Sequence, residues 1–477
     1  MPGTERPNIL LIMSDEHAPQ FAGFHGHHLV QTPHLDTLAS DGVVFDSAYC
    51  NSPLCVPSRA SFMAGLHLHR TGVWDNGATL PENIPTWAHM VRAAGYDAVL
   101  SGKMHLVGAD NLHGFRAEIE GSRTKHPISA PRWQEPHRIG NPASRRRVDD
   151  AGVGASPHVR MDDLAEEAAV RYMREQADGA TPWALCVGFI LPHFPLVAPE
   201  PYFSMYYPHR TELPSYPAGT AGREHPVHER VRQTFNLYSF SDEQILRARA
   251  AYFALITYLD EKIGRLIATL EETGQRQNTV VVYTSDHGEL VGEHGLWWKN
   301  SFYEHASRVP LIFSWPGQWS GGRRFAGACS LVDLTATVVD LAEATSPGNL
   351  DGDTLLPLLR GQTAEWKDEA YCEYTGHATN TPGRMLRTGR WKINIYHGEG
   401  HELFDLATDP GEQTNLAGRP ELAAVERQLL RRVQHDWNPA TIAATVRQSQ
   451  AGRAIITAAE AGVHNADERR RMGAIGG

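Results

Sequence analysis

Short apolar runs recur along the chain and predict the buried strands of a sheet. The runs cover residues 8–13, 98–101, 183–190, 279–284 and 310–313. Each is almost continuously apolar, whereas a strand with one solvent-exposed face would alternate between apolar and polar residues. We therefore predict parallel strands that are covered on both faces.

Helical patterns occupy the stretches between these runs. Thr32 and Pro33 form a helix start, as a cap and a first-turn residue, and Gly42 follows as a stop signal. Longer amphipathic patterns cover residues 162–176 and 243–272. Strands that alternate with helices in this way predict an α/β fold with a mainly parallel, doubly wound central sheet flanked by helices.

Two long stretches interrupt this alternation. Residues 116–160 are polar and basic, with three consecutive arginines at 145–147, and residues 199–240 are rich in Pro, Tyr and His. Both stretches are too long to be simple connectors. We predict that they are either lids over a site or mobile surface loops.

The pattern changes from about residue 366 onward to short segments separated by turn signals. Residues 390–396 are typical of a strand and residues 409–412 of a turn. We predict a catalytic domain over 1–365, a smaller C-terminal α+β domain over 366–435 and a tail over 436–477. The tail is too short to fold alone, so it packs either on its own main domain or on a neighbouring subunit, and we expect a homo-oligomer.

Polar residues of catalytic type follow the predicted strands. Asp15 follows the first strand, Lys103 and His105 the second, His193 the third, and Asp286 with His287 the fourth. Taken singly, each has an ordinary explanation, such as a helix cap for Asp15 or a solvated surface lysine for Lys103. Together they favour one site, because ligands bind beyond the carboxyl ends of the strands in an open parallel sheet.

The residue types suit the hydrolysis of an anion at a metal. Asp15, Asp286 and His287 offer hard oxygen ligands and one imidazole, which suits Ca2+, Mn2+ or Mg2+. Fixed donors around an oxyanion stabilise the charge that develops during its hydrolysis. The candidates for such donors are Arg59, Lys103, His105, His193 and Lys299.

Cys55 is a candidate nucleophile. Pro57 stands where a helix would begin, which places Cys55 just before its amino end and Arg59 one turn further on. The helix dipole and the free amides favour an anion at that point. The alternative for a single cysteine is a buried structural side chain.

Composition limits the function classes. The net charge of -11 leaves no general basic field, so we expect no nucleic-acid partner. The five cysteines are scattered and lack a Cys-x-x-Cys pair, which argues against a disulfide framework or a structural zinc site. No apolar run reaches the length of a membrane span, and a short polar lead precedes the first strand, so we expect a cytoplasmic protein without a membrane partner.

Several motifs resemble those of the sulfatase family. Residues 55–59, Cys-Val-Pro-Ser-Arg, followed by Ala-Gly at 64–65, resemble the signature in which the cysteine is converted to formylglycine. Residues 95–105 resemble the second family signature, and 285–289 with 295–299 match further family positions. The resemblance extends from about residue 7 to residue 415. It implies an alkaline-phosphatase-like sandwich and a partner enzyme that generates the formylglycine.

The resemblance also implies roles for single residues. The aldehyde at Cys55 would be hydrated to a diol, and one hydroxyl would attack sulfur while His193 protonates the leaving alcohol. The sulfated diol would then collapse as His105 takes a proton from the second hydroxyl. Three cations would hold the oxygens of the diol and the sulfate: Arg59, Lys103 and Lys299. The metal would be held by Asp15, Cys55, Asp286 and His287.

Within the family the likeness extends to bacterial choline sulfatases, related cytoplasmic sulfatases and phosphonate monoester hydrolases. Residues 101–108 and 112–115 resemble choline sulfatases, as does Asp75-Asn76, with Asn76 as a sulfate contact. The likeness fades after Phe115, where the segment is basic and carries one tryptophan, Trp133. A quaternary ammonium group needs an aromatic cage and acidic neighbours. The arginines instead favour an anionic substrate such as a sulfated sugar.

The metal ligands depart from the common family pattern at two positions. Many sulfatases have two adjacent aspartates after the first strand, whereas here Asp15 is followed by Glu16, whose longer side chain can point elsewhere. Many also have Asn at the position of His287. An imidazole in place of an oxygen ligand makes Mn2+ plausible beside Ca2+, with Mg2+ as a further candidate.

Three hypotheses follow from the sequence. The favoured one is a sulfuric ester hydrolase that acts on a small sulfated sugar, aryl sulfate or alkyl sulfate. The second is a phosphonate monoester or phosphodiester hydrolase, because sulfate and phosphate esters share a tetrahedral oxyanion. The third is a non-catalytic metal-binding or assembly protein, which we favour least because nucleophile, cations and metal ligands are all present.

Overall fold

A computed structural model of the protein describes residues 6–121, 127–129, 142–216, 224–362 and 365–473. Its strands are β1 Asn8–Asp15, β2 Val43–Tyr49, β3 Asp97–Gly102, β4 Ala117–Gly121, β5 Gly152–Val153, β6 Trp183–Pro192, β7 Val197–Ala198, β8 Thr279–Ser285, β9 Arg308–Val309, β10 Leu311–Ser314, β11 Arg323–Ser330, β12 Glu369–Tyr374, β13 Gly383–Thr388, β14 Trp391–Tyr396 and β15 Gly400–Asp405.

The α-helices lie between and after these strands. They are α1 Pro33–Ser40, α2 Cys55–Ala64, α3 Leu68–Thr71, α4 Trp87–Ala93, α5 Pro142–Asp149, α6 Pro157–Glu175, α7 Pro226–Phe235, α8 Asp242–Glu272, α9 Glu304–Ser307, α10 Leu331–Leu341, α11 Leu356–Leu359, α12 Ala423–Val433 and α13 Pro439–Gly473. No helix within the described ranges combines the length and the apolar character that a membrane span needs.

The main sheet is mostly parallel, as predicted. Its strands follow the order β11-β2-β10-β8-β1-β6-β3-β4, with β9 paired to β2. β1 lies near the middle, between β6 and β8, and runs parallel to both. The fold class is confirmed: an α/β sheet flanked by helices, with a smaller antiparallel sheet after it.

One strand direction was predicted wrongly. The run 310–313 was expected to be a parallel strand, but β10 runs antiparallel to both β8 and β2. The chain between β8 and β10 contains no helix long enough for a crossover. It therefore returns to the sheet from the same edge at which β8 left it, and this reverses the strand.

Both faces of the sheet are buried. Ile9, Leu11 and Met13 of β1 belong to one hydrophobic cluster, which α2, α4 and α10 cover. Leu10 and Ile12 point to the opposite cluster, which contains the apolar faces of α6 and α8. Residues of one strand that alternate between two cores explain why the apolar runs are continuous.

The smaller sheet packs beside the main core. β12, β13, β14 and β15 form an antiparallel meander, and Ala370 and Cys372 of β12 belong to a cluster of the main sheet. The other face packs against α12 and the first turns of α13, through Val433, Ile442 and Val446. The first part of the predicted tail thus packs on its own chain, and a homo-oligomer stays a prediction.

The two long interruptions contain helices that the sequence analysis did not predict. α5 lies in the basic stretch 116–160, and α7 lies in the stretch 199–240. Both helices contribute side chains to the cavity at the end of the sheet, at Ser144, Arg147, Thr234 and Phe235. The described parts of both stretches therefore line a site, and the choice between lids and mobile loops stays a prediction.

Candidate active site

The carboxyl ends of β1, β3 and β8 meet the amino end of α2. Asp15 is the last residue of β1, Lys103 follows β3, and Asp286 follows β8. The Arg59 side chain from α2 contacts all three segments, through both aspartates and the Lys103 carbonyl. The strand-end residues therefore lie together, as their positions in the sequence predict.

Two glycines allow Lys103 to reach this place. Gly102 ends β3 with φ of 89°, and the Lys103 amide donates a 2.7 Å hydrogen bond to the carbonyl of Gly188 in β6. A Cβ atom at Gly188 would lie 1.9 Å from the Lys103 carbonyl oxygen. Only glycine permits this approach, which directs Lys103 toward Asp15.

The sequence analysis placed Cys55 just before a helix. In the structure Cys55 is itself the first residue of that helix, α2. The helix is buried along its whole length. The amide of Val56 donates a 3.1 Å hydrogen bond to Oδ1 of Asn76, which fixes Asn76 beside Cys55. The positive end of the helix dipole favours a negative charge, so this end of α2 suits a bound anion.

Four potential metal ligands surround one point. The ligand atoms of Asp15, Cys55, Asp286 and His287 all lie within 4.8 Å of one another, and all four residues are buried. The His287 Nε2 atom lies 3.2 Å from Cys55 Sγ, 3.5 Å from Asp286 Oδ1 and 3.8 Å from Asp15 Oδ1. Ligands about 2.0–2.5 Å from a shared ion have separations of this size, so the set fits a divalent cation.

Cations hold the outer oxygens of both carboxylates. Arg59 Nε lies 2.7 Å from Asp286 Oδ2, and Arg59 Nη2 lies 3.0 Å from Asp15 Oδ2. Lys103 Nζ lies 2.5 Å from the same Asp15 oxygen. Each aspartate thus has its Oδ2 atom paired and its Oδ1 atom directed toward His287, which orients the inner oxygens as metal ligands.

The charges at the centre stabilise a thiolate. Burial and the charge of Asp15 raise the pKa of Cys55, but Lys299, His287 and Lys103 outweigh them and lower it to about 6. Burial lowers the pKa of His287, but the charge of Asp286 raises it to about 10. The anionic groups around His287 thus favour a positive charge at this point, and His287 must release its proton to act as a metal ligand there.

Lys299 reaches the thiol from the other side. Its Nζ atom lies 3.3 Å from Cys55 Sγ and forms an ion pair with Glu16. Glu16 has a φ of 67° and is fully buried. The sequence analysis allowed that Glu16 points elsewhere. Glu16 pairs with Lys299 and lies outside the four-residue group around Cys55, but its carboxylate also forms a second candidate ligand group with Asp15 and His193.

The two candidate acid–base histidines lie on the cavity wall. His193 Nδ1 contacts the Phe194 carbonyl at 2.6 Å, and Nε2 lies 3.8 Å from Glu16. Burial, with Lys299, lowers the pKa of His193 well below its ordinary value. Burial, with Lys103, lowers the pKa of His105 to about 3. Both rings are therefore neutral in the free enzyme.

A cavity of about 650 Å3 opens above Cys55. Every predicted donor except the buried Arg59 lines it: Asn76, Lys103, His105, His193 and Lys299. Sequence reasoning missed Arg147, His158 and His377, which also line it. None of the three follows a predicted strand, so their positions in the sequence did not indicate a site. The run of arginines at 145–147 was the one feature that could have pointed to Arg147. Trp133 lies outside the described residues.

Comparisons with known proteins agree with this geometry. The family model for sulfatases matches residues 7–344, and the model "N-sulphoglucosamine sulphohydrolase, C-terminal" matches residues 292–438. The chain is 36% identical over 480 residues to choline-sulfatase from Rhizobium meliloti (strain 1021), covering 95% of this chain and 91% of that protein. It is 31% identical over 456 residues to arylsulfatase K from Bos taurus, covering 90% of this chain and 82% of that protein.

A solved structure resembles the fold over nearly its whole length. The phosphonate monoester hydrolase of Agrobacterium radiobacter superposes with a TM-score of 0.73 at 26% identity, covering 90% of this chain and 96% of that one. Because the family model spans most of the chain and the relatives are enzymes, the non-catalytic hypothesis is rejected. The chain belongs to the sulfatase family and is a hydrolase with the alkaline-phosphatase-like sulfatase fold.

Proposed function

We propose that this enzyme hydrolyses a sulfate monoester with a formylglycine made from Cys55. The observation that carries the proposal is the environment of the Cys55 side chain. Its Sγ atom lies 3.2 Å from His287 Nε2, 3.3 Å from Lys299 Nζ and 3.8 Å from Asp15 Oδ1. A nucleophile placed between a metal-ligand set and a lysine, at the buried end of a cavity, suits attack on a bound oxyanion.

The residues present fit the groups that this chemistry requires. Asp15, Asp286, His287 and the side chain at position 55 would hold the divalent ion, with Ca2+ and Mn2+ as the leading candidates and Mg2+ as the third. When bound, the ion supplies Lewis-acid activation and lowers the pKa of an attacking hydroxyl. The formylglycine supplies two hydroxyls on one carbon, so that one attacks sulfur and the other provides a route for sulfate release.

The cations of the chain would bind the sulfate. Burial lowers the pKa of Lys299, but the charges of Cys55, Glu16 and Asp15 outweigh it, so the net pKa is raised and the lysine stays protonated. Lys103 is held by Asp15 on the neighbouring wall, and Asn76 lies at the start of α2. Fixed donors of this kind stabilise negative charge without reorganisation during the reaction.

His193 and His105 would move the protons. Both lie on the cavity wall, and both are neutral in the free enzyme. A sulfate ester bound beside His193 adds negative charge, which raises the pKa of the ring and allows it to carry the proton for the leaving oxygen. His105, which stays neutral, can accept the proton of the hydroxyl whose loss releases sulfate.

Mass spectrometry and a kinetic comparison test this proposal. The enzyme is produced together with a formylglycine-generating enzyme, and the peptide that contains residue 55 is analysed for the aldehyde. kcat/KM is then compared for 4-nitrophenyl sulfate and 4-nitrophenyl phenylphosphonate, which share a leaving group. We expect the aldehyde at position 55 and a higher kcat/KM for the sulfate. An active preparation with only thiol at position 55 contradicts the mechanism.

Two variants separate the role of Cys55 from its packing. Cys55→Ser is expected to retain at most a single turnover, because an ester of a plain alcohol has no second hydroxyl to expel sulfate. Cys329→Ala removes a buried thiol outside the cavity and is expected to turn over like the wild type. Multiple turnovers by Cys55→Ser would contradict a formylglycine mechanism.

Phosphonate monoester or phosphodiester hydrolysis remains the second candidate. The structural likeness to a phosphonate monoester hydrolase favours it, together with the tetrahedral oxyanion that both ester classes share. The same kinetic comparison decides between the two, since a higher kcat/KM for the phosphonate supports the second candidate.

A further inference from the structure

Arg147 presents to the cavity a charged group that forms no ion pair with any described residue, although the buried Glu16 carboxylate acts on it at longer range. α5 places Ser144 and Arg147 on the cavity wall, three residues apart and thus on one face of the helix. The guanidinium carbon lies 4.0 Å from the centroid of the Phe194 ring and 5.5 Å from that of Trp298. Contact with these two rings holds the guanidinium in place on the cavity wall.

No described residue accepts a hydrogen bond from the N–H groups of Arg147. Across the described parts of the chain, no hydrogen bond or ion pair reaches the Arg147 guanidinium, which is half-buried. The nearby Arg145 is different, since it donates to the carbonyls of Tyr238 and Ser239 and pairs with Asp149. A guanidinium carries five donors, so an orphan one on a cavity wall is suited to an incoming acceptor.

The other cations of the cavity are already compensated. Lys103 is paired with Asp15 and Lys299 with Glu16. Neither Asp nor Glu occurs among the described residues that line the cavity. The described wall therefore carries an excess positive charge at Arg147, whose guanidinium contacts the same Phe194 ring that Lys299 Nζ approaches at 5.3 Å from its centroid.

The aromatic residues of the wall do not offer a free cage for a cation. Phe194 and Trp298 contact each other at 5.7 Å between centroids, and Arg147 already stacks on both. A quaternary ammonium group placed there would meet a positive charge instead of an open ring face. The wall thus repels a cationic alcohol and attracts an anionic one.

We propose that Arg147 is a specificity-determining residue, which selects sulfate esters whose alcohol part carries a second anionic group, a carboxylate or another sulfate. This inference rests on the proposed sulfatase function and names the substrate class of the same site. The guanidinium binds the second anion through its edge N–H groups, while the reacting sulfate lies at Cys55.

Matched substrates test the inference. We compare kcat/KM for 3-carboxyphenyl sulfate and 3-carbamoylphenyl sulfate, which differ in charge and little in size. A third substrate, benzene-1,3-diyl disulfate, tests a second sulfate group in place of the carboxylate. The wild type is expected to prefer the anionic substrates. Arg147→Gln is expected to reduce the ratio of carboxylate to carboxamide by about 10- to 100-fold. The leaving-group difference cancels when this ratio is compared between enzymes.

Two further variants sharpen the result. Arg147→Lys keeps the charge and is expected to retain part of the preference. Arg146→Gln makes the same change on the exposed side of α5 and is expected to behave like the wild type. An unchanged ratio in Arg147→Gln overturns the inference, as does a wild type that shows no preference. A loss of rate that is equal for both substrates means a structural role, and this also overturns it.

A binding measurement tests the role of Arg147 without requiring turnover. The same pair of sulfates is titrated calorimetrically into the Cys55→Ser protein, with and without Arg147→Gln. Tighter binding of the carboxylate that depends on Arg147 supports the inference even when turnover is absent. An active enzyme without this charge preference leaves the proposed function intact and removes the inference alone.

Discussion

Arg59 connects α2, which carries Cys55, to both carboxylates of the candidate metal-ligand set. Its guanidinium is fully buried and contacts Asp15, Asp286 and the Lys103 carbonyl at the same time. Burial lowers the pKa of Arg59, but the charges of Asp286 and Asp15 outweigh it and raise the pKa. The residue therefore acts as a permanent cation that orients two ligands from the side opposite the ion site.

Arg59→Lys is expected to preserve the positive charge at this position and to lose the simultaneous contacts with both aspartates. Arg59→Lys offers one compact ammonium, which cannot contact Asp15 and Asp286 as a planar fork does. We expect metal affinity to fall by about 10- to 100-fold, since residues that orient metal ligands have effects of this size. Metal titration monitored by kcat/KM measures it, with the exposed Arg324→Lys as the control. Unchanged metal affinity would show that Arg59 only packs.

Sequence position predicted one group of site residues and missed another for a physical reason. Asp15, Lys103 and Asp286 were predicted because a parallel sheet aligns the carboxyl ends of its strands. Arg147 and His377 reach the cavity from segments that belong to no parallel strand. Their positions depend on how those segments pack, and the local pattern of a sequence does not contain that information.

The same limit applies to whole elements. Five strands of the main sheet, β1, β3, β6, β8 and β10, were predicted because burial on both faces makes them continuously apolar. β2 was missed although it lies inside the sheet, because Asp46 and Ser47 interrupt its apolar run. β11 was missed because it begins with two arginines and alternates between exposed and partly buried residues at the edge of the sheet. α5 was missed because its sequence is mostly polar. The pattern thus identifies continuously apolar strands well, and it identifies interrupted strands, edge strands and polar helices poorly.

The helix α13 supports the loop that carries Asn76. Arg453 forms a two-pronged ion pair with Asp75, with both nitrogen–oxygen distances at 2.7 Å, and both side chains are less than 10% exposed. Asp75 also accepts the Gly77 amide at 2.9 Å, which tightens the turn around Asn76. The C-terminal helix is therefore linked to the amino end of α2 through two neighbouring residues.

Removal of Arg453 is expected to affect both stability and substrate affinity. Arg453→Gln leaves the buried Asp75 charge without its partner, a change that typically costs about 3–5 kcal/mol. We expect a lower Tm and a higher KM for aryl sulfates, because Asn76 loses its support. Thermal unfolding and steady-state kinetics measure the two effects.

A double variant identifies the cause. Asp75→Asn together with Arg453→Gln removes both charges and is expected to be more stable than Arg453→Gln alone. Gln448→Ala, on the exposed side of the same helix, serves as the control. A KM that stays at the wild-type value in Arg453→Gln would show that α13 does not influence the site.

At the scale of the whole molecule, the site joins segments from distant parts of the chain. Asp15, Cys55 and Asp286 are brought together by the central sheet and one buried helix. The negative charges at their meeting point are already compensated by Arg59 and Lys103. We therefore expect the sheet and its two hydrophobic clusters to hold the fold, and a metal ion at the proposed site to add to its stability.

Metal removal is accordingly expected to lower the stability without unfolding the protein. An ion that binds only the native state, at a free concentration a hundredfold above its Kd, stabilises it by about 2.7 kcal/mol. For a chain of this size we expect a chelator to lower Tm by a few degrees, and the ion with the highest affinity among Ca2+, Mn2+ and Mg2+ to restore it fully. Differential scanning calorimetry measures the shift, and the Asp286→Ala protein, which lacks one ligand, is expected to respond little to chelator or ion. Identical melting curves for the wild type with chelator and with each ion would contradict a metal site at Asp15, Cys55, Asp286 and His287, because any ligand that prefers the native state must raise its stability.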